Sequence, residues 1–183
     1  MSGAIAVRAA RAGDGITIGR IQAQAWRETY PGLLPASRIA AVDPVERGAM
    51  WTDAIARNTA RGICIAEIGD RTVGFGACAH SRSVVLSQQG YRGEVTALYV
   101  LRAAQGKGAG RALMAALARR LIAEGDRTMA LWVLATNGRA RRFYEAIGGA
   151  LLPVASPAHA PGQAEVAYGW RDLRALAACA DLG

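Results

Sequence analysis

Three glycines at the end of an apolar run form the stretch of this chain best suited to chemistry. Residues 98–111 read Leu-Tyr-Val-Leu-Arg-Ala-Ala-Gln-Gly-Lys-Gly-Ala-Gly-Arg, and a helical period of leucines follows. Glycine lets backbone N–H groups converge without interference from a Cβ atom, and a helix start adds unpaired donors and a positive dipole end. A strand, a glycine turn and a helix in this order therefore predict an anion site, with phosphate as the natural ligand.

Two common phosphate loops do not fit these glycines. A Walker loop needs a Ser or Thr after its lysine to bind magnesium, whereas Lys107 is followed by Gly108. A dinucleotide fingerprint needs Gly-x-Gly-x-x-Gly and an acidic residue at the end of the next strand. Gly106, Gly108 and Gly110 have another spacing, and that strand ends without an acid.

The pattern Gln105-x-x-Gly108-x-Gly110 resembles the acyl-CoA pyrophosphate loop of the GNAT superfamily of N-acetyltransferases. Its setting strengthens the resemblance, because Glu94-Val-Thr-Ala-Leu-Tyr-Val precedes it and Asn137-Gly-Arg-Ala-Arg-Arg-Phe-Tyr-Glu-Ala-Ile-Gly follows, as in that family. The resemblance covers residues 94–149 strongly and the remainder only in the order of elements. One departure is Gly148-Gly149-Ala150, since most members have an aromatic or apolar residue after the first glycine.

The resemblance implies acetyl-CoA as cosubstrate and no metal. Backbone donors of residues 105–111 would bind the pyrophosphate, and those of residues 98–100 the pantetheine arm and the thioester carbonyl. The asparagine that starts the short helix, Asn137, would contact the pantetheine arm or nearby backbone. Lys107 and Arg111 would add positive charge to the turn, with simple solvation as the alternative. The implied cofactor contacts are Leu98, Tyr99, Val100, Gln105, Gly106, Lys107, Gly108, Ala109, Gly110, Arg111, Asn137 and Ala140.

Acetyl transfer from a thioester to an amine makes three physical demands. The amine must lose a proton, because an alkyl amine has a pKa of about 10. The carbonyl oxygen needs donors as it gains charge, and the departing thiolate is helped by an acid. Direct attack needs no covalent enzyme intermediate, so the missing Ser/His/Asp arrangement excludes nothing.

Glu94 is the predicted general base, acting through ordered water. It lies on the strand that enters the glycine turn, and strand alternation predicts that it shares a face with Thr96 and Leu98. Several GNAT proteins have a glutamate near this place. The alternative is a solvated or salt-bridged glutamate at a strand end.

Tyr144 is the predicted general acid. It follows Asn137 by two helical turns, so both side chains project from one face of the short helix. In the family a tyrosine at this position points at the CoA sulfur. A packing role is the alternative for Tyr144, and Phe143 is assigned to the core.

The acceptor side is predicted less sharply. Trp26 and Tyr30 lie close to the turn Pro31-Gly32 and suit the wall of a small-molecule pocket, with core packing as the alternative. Residues 80–92 are predicted to form a mobile loop over the site, and the proline-rich residues 153–162 a surface loop.

Hydrophobic periodicity predicts the elements that position these residues. A helix at 108–124 connects the predicted strands 93–101 and 128–134, and a helical connection of this length predicts that the two strands are parallel. We expect one α/β domain over residues 1–183, with a mixed, mostly antiparallel sheet, a parallel pair at the cofactor site and flanking helices. Predicted strands are 5–8, 61–67, 72–79, 93–101, 128–134 and 164–170; predicted helices are 14–30, 43–58, 108–124, 137–147 and 172–179, with Asp14 and Asp43 as caps.

Composition is typical of a globular protein, with 183 residues, 52% of them hydrophobic and 20% charged. No run approaches the roughly 20 apolar residues of a membrane helix, and residues 1–15 do not resemble a secretory signal. We therefore expect a soluble cytoplasmic protein without membrane contact.

Cysteine and histidine usage predicts neither disulfides nor a metal site. Cys64, Cys78 and Cys179 are scattered, and the first two lie in apolar strand-like runs typical of buried reduced thiols. His80 and His159 have no partner at ligand spacing.

The net charge of +8 raises the question of a polyanionic partner. The positive charge is carried by arginines spread along the chain, with Lys107 the one lysine, and this pattern favours compositional bias over RNA binding. A local group, Arg139, Arg141 and Arg142, lies beside the predicted cofactor site.

Two functions from different classes remain. The first is an N-acetyltransferase whose acceptor is a small-molecule or peptide amine. The second is a catalytically silent acyl-CoA sensor, which needs the glycine turn but neither Glu94 nor Tyr144. The resemblance also allows a homodimer, for which the sequence shows no interface pattern.

Overall fold

The fold is known from a computed structural model that describes residues 3–57, 62–154 and 163–178. Its strands and helices are mixed along the chain. They are β1 (Ile5–Ala9), α1 (Asp14–Thr29), α2 (Ala36–Ala40), α3 (Pro44–Ala56), β2 (Gly62–Ile68), β3 (Arg71–His80), α4 (Val84–Gln88), β4 (Gly93–Val100), α5 (Ala109–Ala123), β5 (Met129–Leu134), α6 (Gly138–Ala146), β6 (Ala150–Leu151), β7 (Glu165–Trp170) and α7 (Leu173–Ala178), with a 3₁₀ turn at Arg102–Ala104.

Within the described residues the strands form one sheet in the order β1-β2-β3-β4-β5-β7-β6. Every neighbouring pair is antiparallel except β4 and β5, which are parallel. The predicted α/β class and mixed sheet are therefore confirmed. Helix α5 makes the crossover that a parallel pair requires.

The parallel pair is short. β4 and β5 are in register only at Gly93 with Met129 and at Glu94 with Ala130. Beyond Glu94, β5 pairs on its other side with β7 over its whole length. The two central strands thus diverge, and the side of β4 that faces β5 is left without a strand partner along residues 95–100.

Two apolar layers cover the sheet. Helices α5 and α7 pack on one face, where Leu113, Leu117 and Leu121 are fully buried. Helices α1 and α3 pack on the other face around Ile18 and Trp51. The sheet is therefore held between helices on both sides, and the gap between β4 and β5 leads inward from one end.

The helix starts follow from local chemistry, with one correction. Asp43 caps α3 as predicted, because its carboxylate accepts hydrogen bonds from the N–H groups of Val45 and Glu46 at 2.8 and 2.9 Å. Asp14 was predicted to cap α1, but Gly13 holds the cap position with φ of 97°. Asp14 instead opens the first turn and binds Arg8 at 2.8 Å.

The predicted loop at residues 80–92 contains a helix, so that prediction was wrong for Val84–Gln88. The Ser83 hydroxyl caps α4 by accepting from the N–H of Leu86 at 3.4 Å. Leu86 and Tyr91 are buried in a small core with Ala130 and Ala167. The buried Leu86 side chain therefore anchors this segment against the sheet.

The predictions on the cysteines, the second histidine and membrane helices can be compared with the structure. Cys64 and Cys78 are buried and unbridged, as predicted, and burial raises the pKa of the Cys64 thiol. Cys179, His159 and most of the predicted 153–162 loop lie outside the described residues. Along the described chain, no helix has the length and apolar character needed to cross a bilayer.

Candidate functional site

The divergence of β4 from β5 opens a cleft of about 1090 Å³. One wall, here called the α1 wall, comes from the end of α1 and the turn after it: Ala25, Trp26, Glu28, Thr29, Tyr30, Pro31, Leu33 and Leu34. The opposite wall comes from the glycine turn and the starts of α5 and α6, and β4 and β5 form the floor.

The glycine turn needs its glycines. Gly106 and Gly108 have φ of 76° and 92°, in the left-handed region that a side chain disfavours, and both line the cleft. Gly108 is the cap residue of α5, so the helix starts at the cleft. The Gln105 side-chain amide donates to the carbonyl oxygen of Val100 at 2.8 Å and ties the turn to the end of β4. A helix N-terminus and left-handed glycines suit a diphosphate.

Gly110 is required for packing. A Cβ atom at this position would lie 3.1 Å from the ring of Phe143. Gly110 therefore lets α5 approach α6 at the edge of the cleft. Phe143 packs against the core as predicted, and it also lines the cleft.

Most of the predicted cofactor contacts lie on the cleft. Two of them do not. Lys107 is exposed and Ala109 is buried, and neither lines the cavity. The predicted contacts that do line it are Leu98, Tyr99, Val100, Gln105, Gly106, Gly108, Gly110, Arg111, Asn137 and Ala140.

A β-bulge in β4 decides where Glu94 points. The register with β3 shifts at Thr96, which is an extra residue with no opposite residue in β3. As a result Val95 and Leu98 both pack on the α5 side of the sheet, while Ala97 packs on the α1 side. Glu94, next to Val95, therefore points to the face of Ala97. The predicted shared face of Glu94 with Leu98 was wrong, because strand alternation breaks at the bulge.

Glu94 is half-buried and lines the cleft. Its Oε2 atom accepts hydrogen bonds from the Ser81 hydroxyl at 3.2 Å and from the N–H of Arg82 at 3.0 Å. Both donors follow directly after β3. They fix the carboxylate at the base of the divergence, where β4 still pairs with β5.

Tyr144 and Asn137 both line the cleft. The Asn137 side-chain oxygen caps α6 by accepting from the N–H of Ala140 at 3.1 Å. Tyr144 is 8% exposed, with Tyr168 and Trp170 rings at centroid distances of 5.9 and 6.2 Å. Burial, and secondarily the nearby Tyr99, raises the pKa of Tyr144 above its ordinary value, so its phenol keeps its proton at neutral pH.

On the α1 wall, Trp26 and Tyr30 pack together with ring centroids 4.7 Å apart. The Trp26 indole N–H is buried and has no hydrogen-bond partner among the described residues. Burial, followed by the neighbouring hydroxyls of Tyr99 and Tyr144, raises the pKa of Tyr30 well above its ordinary value. Tyr99, predicted as a cofactor contact, lines the same cleft as Tyr30.

Sequence reasoning missed several polar residues of the cleft. The N–H of Arg102 donates to a Glu28 carboxylate oxygen at 2.7 Å, and the Arg102 guanidinium donates to the Glu28 carbonyl at 2.8 Å. This pair joins the end of α1 to the turn after β4 across 74 residues of sequence. No local pattern signals it. The other missed polar residues are Arg38, which binds Gln163, together with Arg82 and Glu165, whereas Arg139 was predicted to lie beside the cofactor site and lines the cleft.

The described residues contain no group of three metal-ligating side chains. The residues of the cleft fit acetyl-CoA instead. A pyrophosphate would meet the glycine turn, the α5 N-terminus and the arginines Arg111 and Arg139, while the unpaired side of β4 offers backbone groups to an amide-bearing arm.

Known proteins resemble this chain along most of its length. The profile of the acetyltransferase (GNAT) family matches residues 23–149. The uncharacterized N-acetyltransferase YuaI of Bacillus subtilis is 31% identical over 94% of this chain and 96% of its own. An uncharacterized N-acetyltransferase of Archaeoglobus fulgidus is 36% identical over 45% of this chain and 56% of its own.

Solved structures share the fold. yncA, a putative acetyltransferase from Salmonella typhimurium with its cofactor acetyl-CoA, matches with a TM-score of 0.69 and 21% identity, over 93% of this chain and 95% of its own. The paia N-acetyltransferase from Thermoplasma acidophilum, in complex with coenzyme A, matches with a TM-score of 0.73 and 17% identity, over 91% and 98%.

Proposed function

This chain belongs to the GNAT family of acetyltransferases, and we propose that it transfers an acetyl group from acetyl-CoA to a primary amine by direct attack. The observation that carries the proposal is the cleft between β4 and β5, whose walls include the glycine turn, Glu94 and Tyr144 together. We further propose that residues 1–183 act as one N-acetyltransferase domain.

The cosubstrate would be held mainly by backbone groups. The left-handed glycines and the start of α5 suit the pyrophosphate, and Arg111 adds positive charge at the same wall. Along residues 98–100, the side of β4 that faces the cleft is free of β5 and suits the pantetheine arm and the thioester carbonyl. Two neighbours of the same fold hold acetyl-CoA or coenzyme A, which supports this assignment.

Glu94 acts as the general base through water. Its carboxylate is held by Ser81 and Arg82, so it need not reorganise when the amine arrives. The same two hydrogen bonds suit a purely structural role, in which Glu94 fixes the turn after β3. The two roles differ in their need for a titratable group, because an amide oxygen can still accept both hydrogen bonds but cannot take up a proton.

Tyr144 acts as the general acid toward the CoA thiolate. Its buried phenol remains protonated at neutral pH, as a proton donor must. The acceptor amine would approach from the α1 wall, where the unpartnered indole N–H of Trp26 and the Tyr30 hydroxyl lie.

A thiol-release screen tests the proposal. Acetyl-CoA is offered with amines, amino acids, polyamines and peptides, and free CoA is measured as it forms. We expect release only when an acceptor is present. Binding of acetyl-CoA without release for any member of the panel would contradict the enzyme and favour the silent acyl-CoA sensor.

A further inference from the structure

Two aromatic side chains of β7, Tyr168 and Trp170, pack against the predicted acid from outside the cleft. They are two residues apart and therefore project from the same face of the strand. Both are buried, and neither is among the residues that line the cleft. Their ring centroids lie 5.9 and 6.2 Å from the centroid of the Tyr144 ring. The surface behind Tyr144 is thus supplied by an element other than its own helix.

The Tyr168 hydroxyl joins two side chains of α6. It accepts a hydrogen bond from Arg141 Nε at 3.3 Å and donates one to the Glu145 carboxylate. Arg141 and Glu145 are four residues apart and so lie on one face of the helix. Arg141 also donates to the carbonyl oxygen of Ala135 at 3.1 Å. These bonds fix the rotation of α6 about its axis, and with it the direction of Tyr144, the neighbour of Glu145.

Trp170 fixes the point at which α6 ends. Its indole N–H donates to the carbonyl oxygen of Ile147 at 3.0 Å. Ile147 is the C-cap residue of the helix, and carbonyl groups at a helix end have no partner within the helix. This bond therefore ties the last turn, which carries Tyr144, to β7.

The Trp170 ring also occupies the space of a side chain that the chain lacks. A Cβ atom at Gly149 would lie 2.6 Å from Cζ2 and 3.0 Å from Cη2 of Trp170, and 2.9 Å from the carbonyl oxygen of Tyr144. The N–H of Gly149 donates to that same carbonyl at 2.9 Å. Gly149 stands where the sequence departs from the resembled pattern by having no aromatic or apolar side chain. The ring of Trp170 fills this place from β7.

We infer that Tyr168 and Trp170 are positioning residues, which hold the Tyr144 hydroxyl where it protonates the departing thiolate. The inference rests on the proposed acetyl transfer and adds to it two side chains outside the cleft. A proton donor must lie about 3 Å from the atom that it protonates, and a misplacement of about 1 Å costs about a hundredfold in rate. Altering either side chain should therefore slow the chemical step and leave cofactor binding intact.

The test uses Tyr168→Phe and Trp170→Phe with an acceptor found by the thiol-release screen. The first variant loses only the hydroxyl, and the second loses the indole N–H and the ring atoms nearest Gly149. Single-turnover release isolates the chemical step, and acetyl-CoA binding is measured separately. We expect each variant to be about tenfold slower, with unchanged affinity for acetyl-CoA.

Trp51→Phe is the matched control. Trp51 is also buried, and its indole N–H donates to Gln22 at 2.8 Å. It belongs to the core on the α1 side of the sheet and does not line the cleft. Trp51→Phe should lose stability, as Trp170→Phe does, and keep the release rate of the unmodified protein.

A second background separates positioning from general damage. If the β7 side chains act through the Tyr144 hydroxyl, neither Tyr168→Phe nor Trp170→Phe should slow release further in a Tyr144→Phe protein. A packing defect that disturbs the whole cleft would slow release equally in both backgrounds. That result would overturn the inference.

The place filled by Trp170 is tested by unfolding, which needs no acceptor. Gly149→Ala should lower the urea midpoint, because its Cβ atom meets the indole ring. The loss should be smaller in a Trp170→Phe protein, which lacks Cζ2 and Cη2, although the contact with the Tyr144 carbonyl remains. Equal losses in the two backgrounds would show that the indole does not occupy this space.

The proposed function and the positioning role fail in different ways. An unmodified protein that binds acetyl-CoA but acetylates no amine would refute both together. Normal release by the unmodified protein, with an unchanged rate in Tyr168→Phe and in Trp170→Phe, would refute the positioning role alone. An unchanged rate in one of the two variants would remove that residue from it.

Discussion

At the scale of single residues, Glu94 carries two tasks that one substitution separates. The carboxylate both accepts two hydrogen bonds after β3 and lines the cleft. Glutamine has the same shape and still accepts from Ser81 and Arg82, but it takes up no proton. The pH dependence of the loss in Glu94→Gln therefore separates base catalysis from the role in the turn.

Glu94→Gln should lower kcat/KM by about 100-fold near neutral pH. The loss should shrink as the pH rises toward the amine pKa of about 10, since the acceptor then deprotonates without help. The measurement is thiol release across this pH range. Glu46→Gln, on the exposed first turn of α3, is the control and should behave as the unmodified protein. A Glu94→Gln variant with the unmodified pH profile would leave Glu94 a structural role only.

Tyr144→Phe should lower kcat by about tenfold to a hundredfold while acetyl-CoA binds as before. The pH dependence carries the sharper information. Burial raises the pKa of Tyr144, so its acid form persists above the ordinary tyrosine range, and kcat of the unmodified protein should not fall as the pH rises to about 10. An alkaline fall in kcat that persists unchanged in Tyr144→Phe would assign the acid to another group.

At the scale of elements, the glycine turn offers a comparison with a second helix start. Gly108 before α5 and Gly13 before α1 are both cap residues with positive φ, 92° and 97°. Neither has a close neighbour that would block a Cβ atom. The backbone cost of alanine is therefore matched, and only Gly108 lines the cleft.

Gly108→Ala and Gly13→Ala should each cost about 1 kcal/mol of unfolding free energy, because alanine disfavours positive φ. Only Gly108→Ala should also weaken acetyl-CoA binding, by about tenfold, since turning one peptide group misaligns the turn against the pyrophosphate. Thermal unfolding and calorimetric titration measure the two effects. Equal acetyl-CoA affinity in both variants would show that the pyrophosphate does not bind at this turn.

Some elements could be predicted from the sequence and others could not. Periodicity and capping predicted α3, α5 and the parallel pair, because each depends on local signals such as Asp43 before Pro44. The bulge at Thr96 depends on how β3 aligns with β4, which no local pattern records, and so the face of Glu94 was mispredicted. The same limit applies to α4, whose burial of Leu86 depends on distant strands.

At the scale of the whole molecule, the order of the strands and the packing of α1 determine which residues meet at the site. The sequence predicted that the glycine turn and Tyr144 lie at one site. The glycines are contiguous with the end of a strand, and Tyr144 follows Asn137 by two helical turns. The meeting of Tyr30 and Tyr144 in one cleft and the contact of Glu28 with Arg102 join segments far apart in sequence. They arise only because α1 packs beside the divergence of β4 from β5.

A charge cluster connects the first elements of the fold and gives the molecule a predictable acid response. Arg8 on β1 binds Asp14 on α1 at 2.8 Å and Glu67 on β2 at 3.1 Å, with Asp14 18% exposed. The hydrogen bond from Arg8 holds the pKa of Asp14 below its ordinary value. A carboxylate with a lowered folded-state pKa stabilises the fold above its unfolded pKa of about 3.9, and this contribution is lost as the pH falls through the folded-state pKa.

Asp14→Asn should therefore lower the unfolding free energy by about 1 to 2 kcal/mol near neutral pH, because the amide keeps the shape but not the charge. The difference from the unmodified protein should vanish once the pH lies below the folded-state pKa of Asp14, where its carboxyl is protonated. Urea unfolding at several pH values measures both. Asp53→Asn removes an exposed pair with Arg57, whose side chains are 56% and 70% exposed, and should change little at any pH. A destabilisation by Asp14→Asn that is the same in acid as at neutral pH would show that packing, and not the ion pair, anchors β1 to α1.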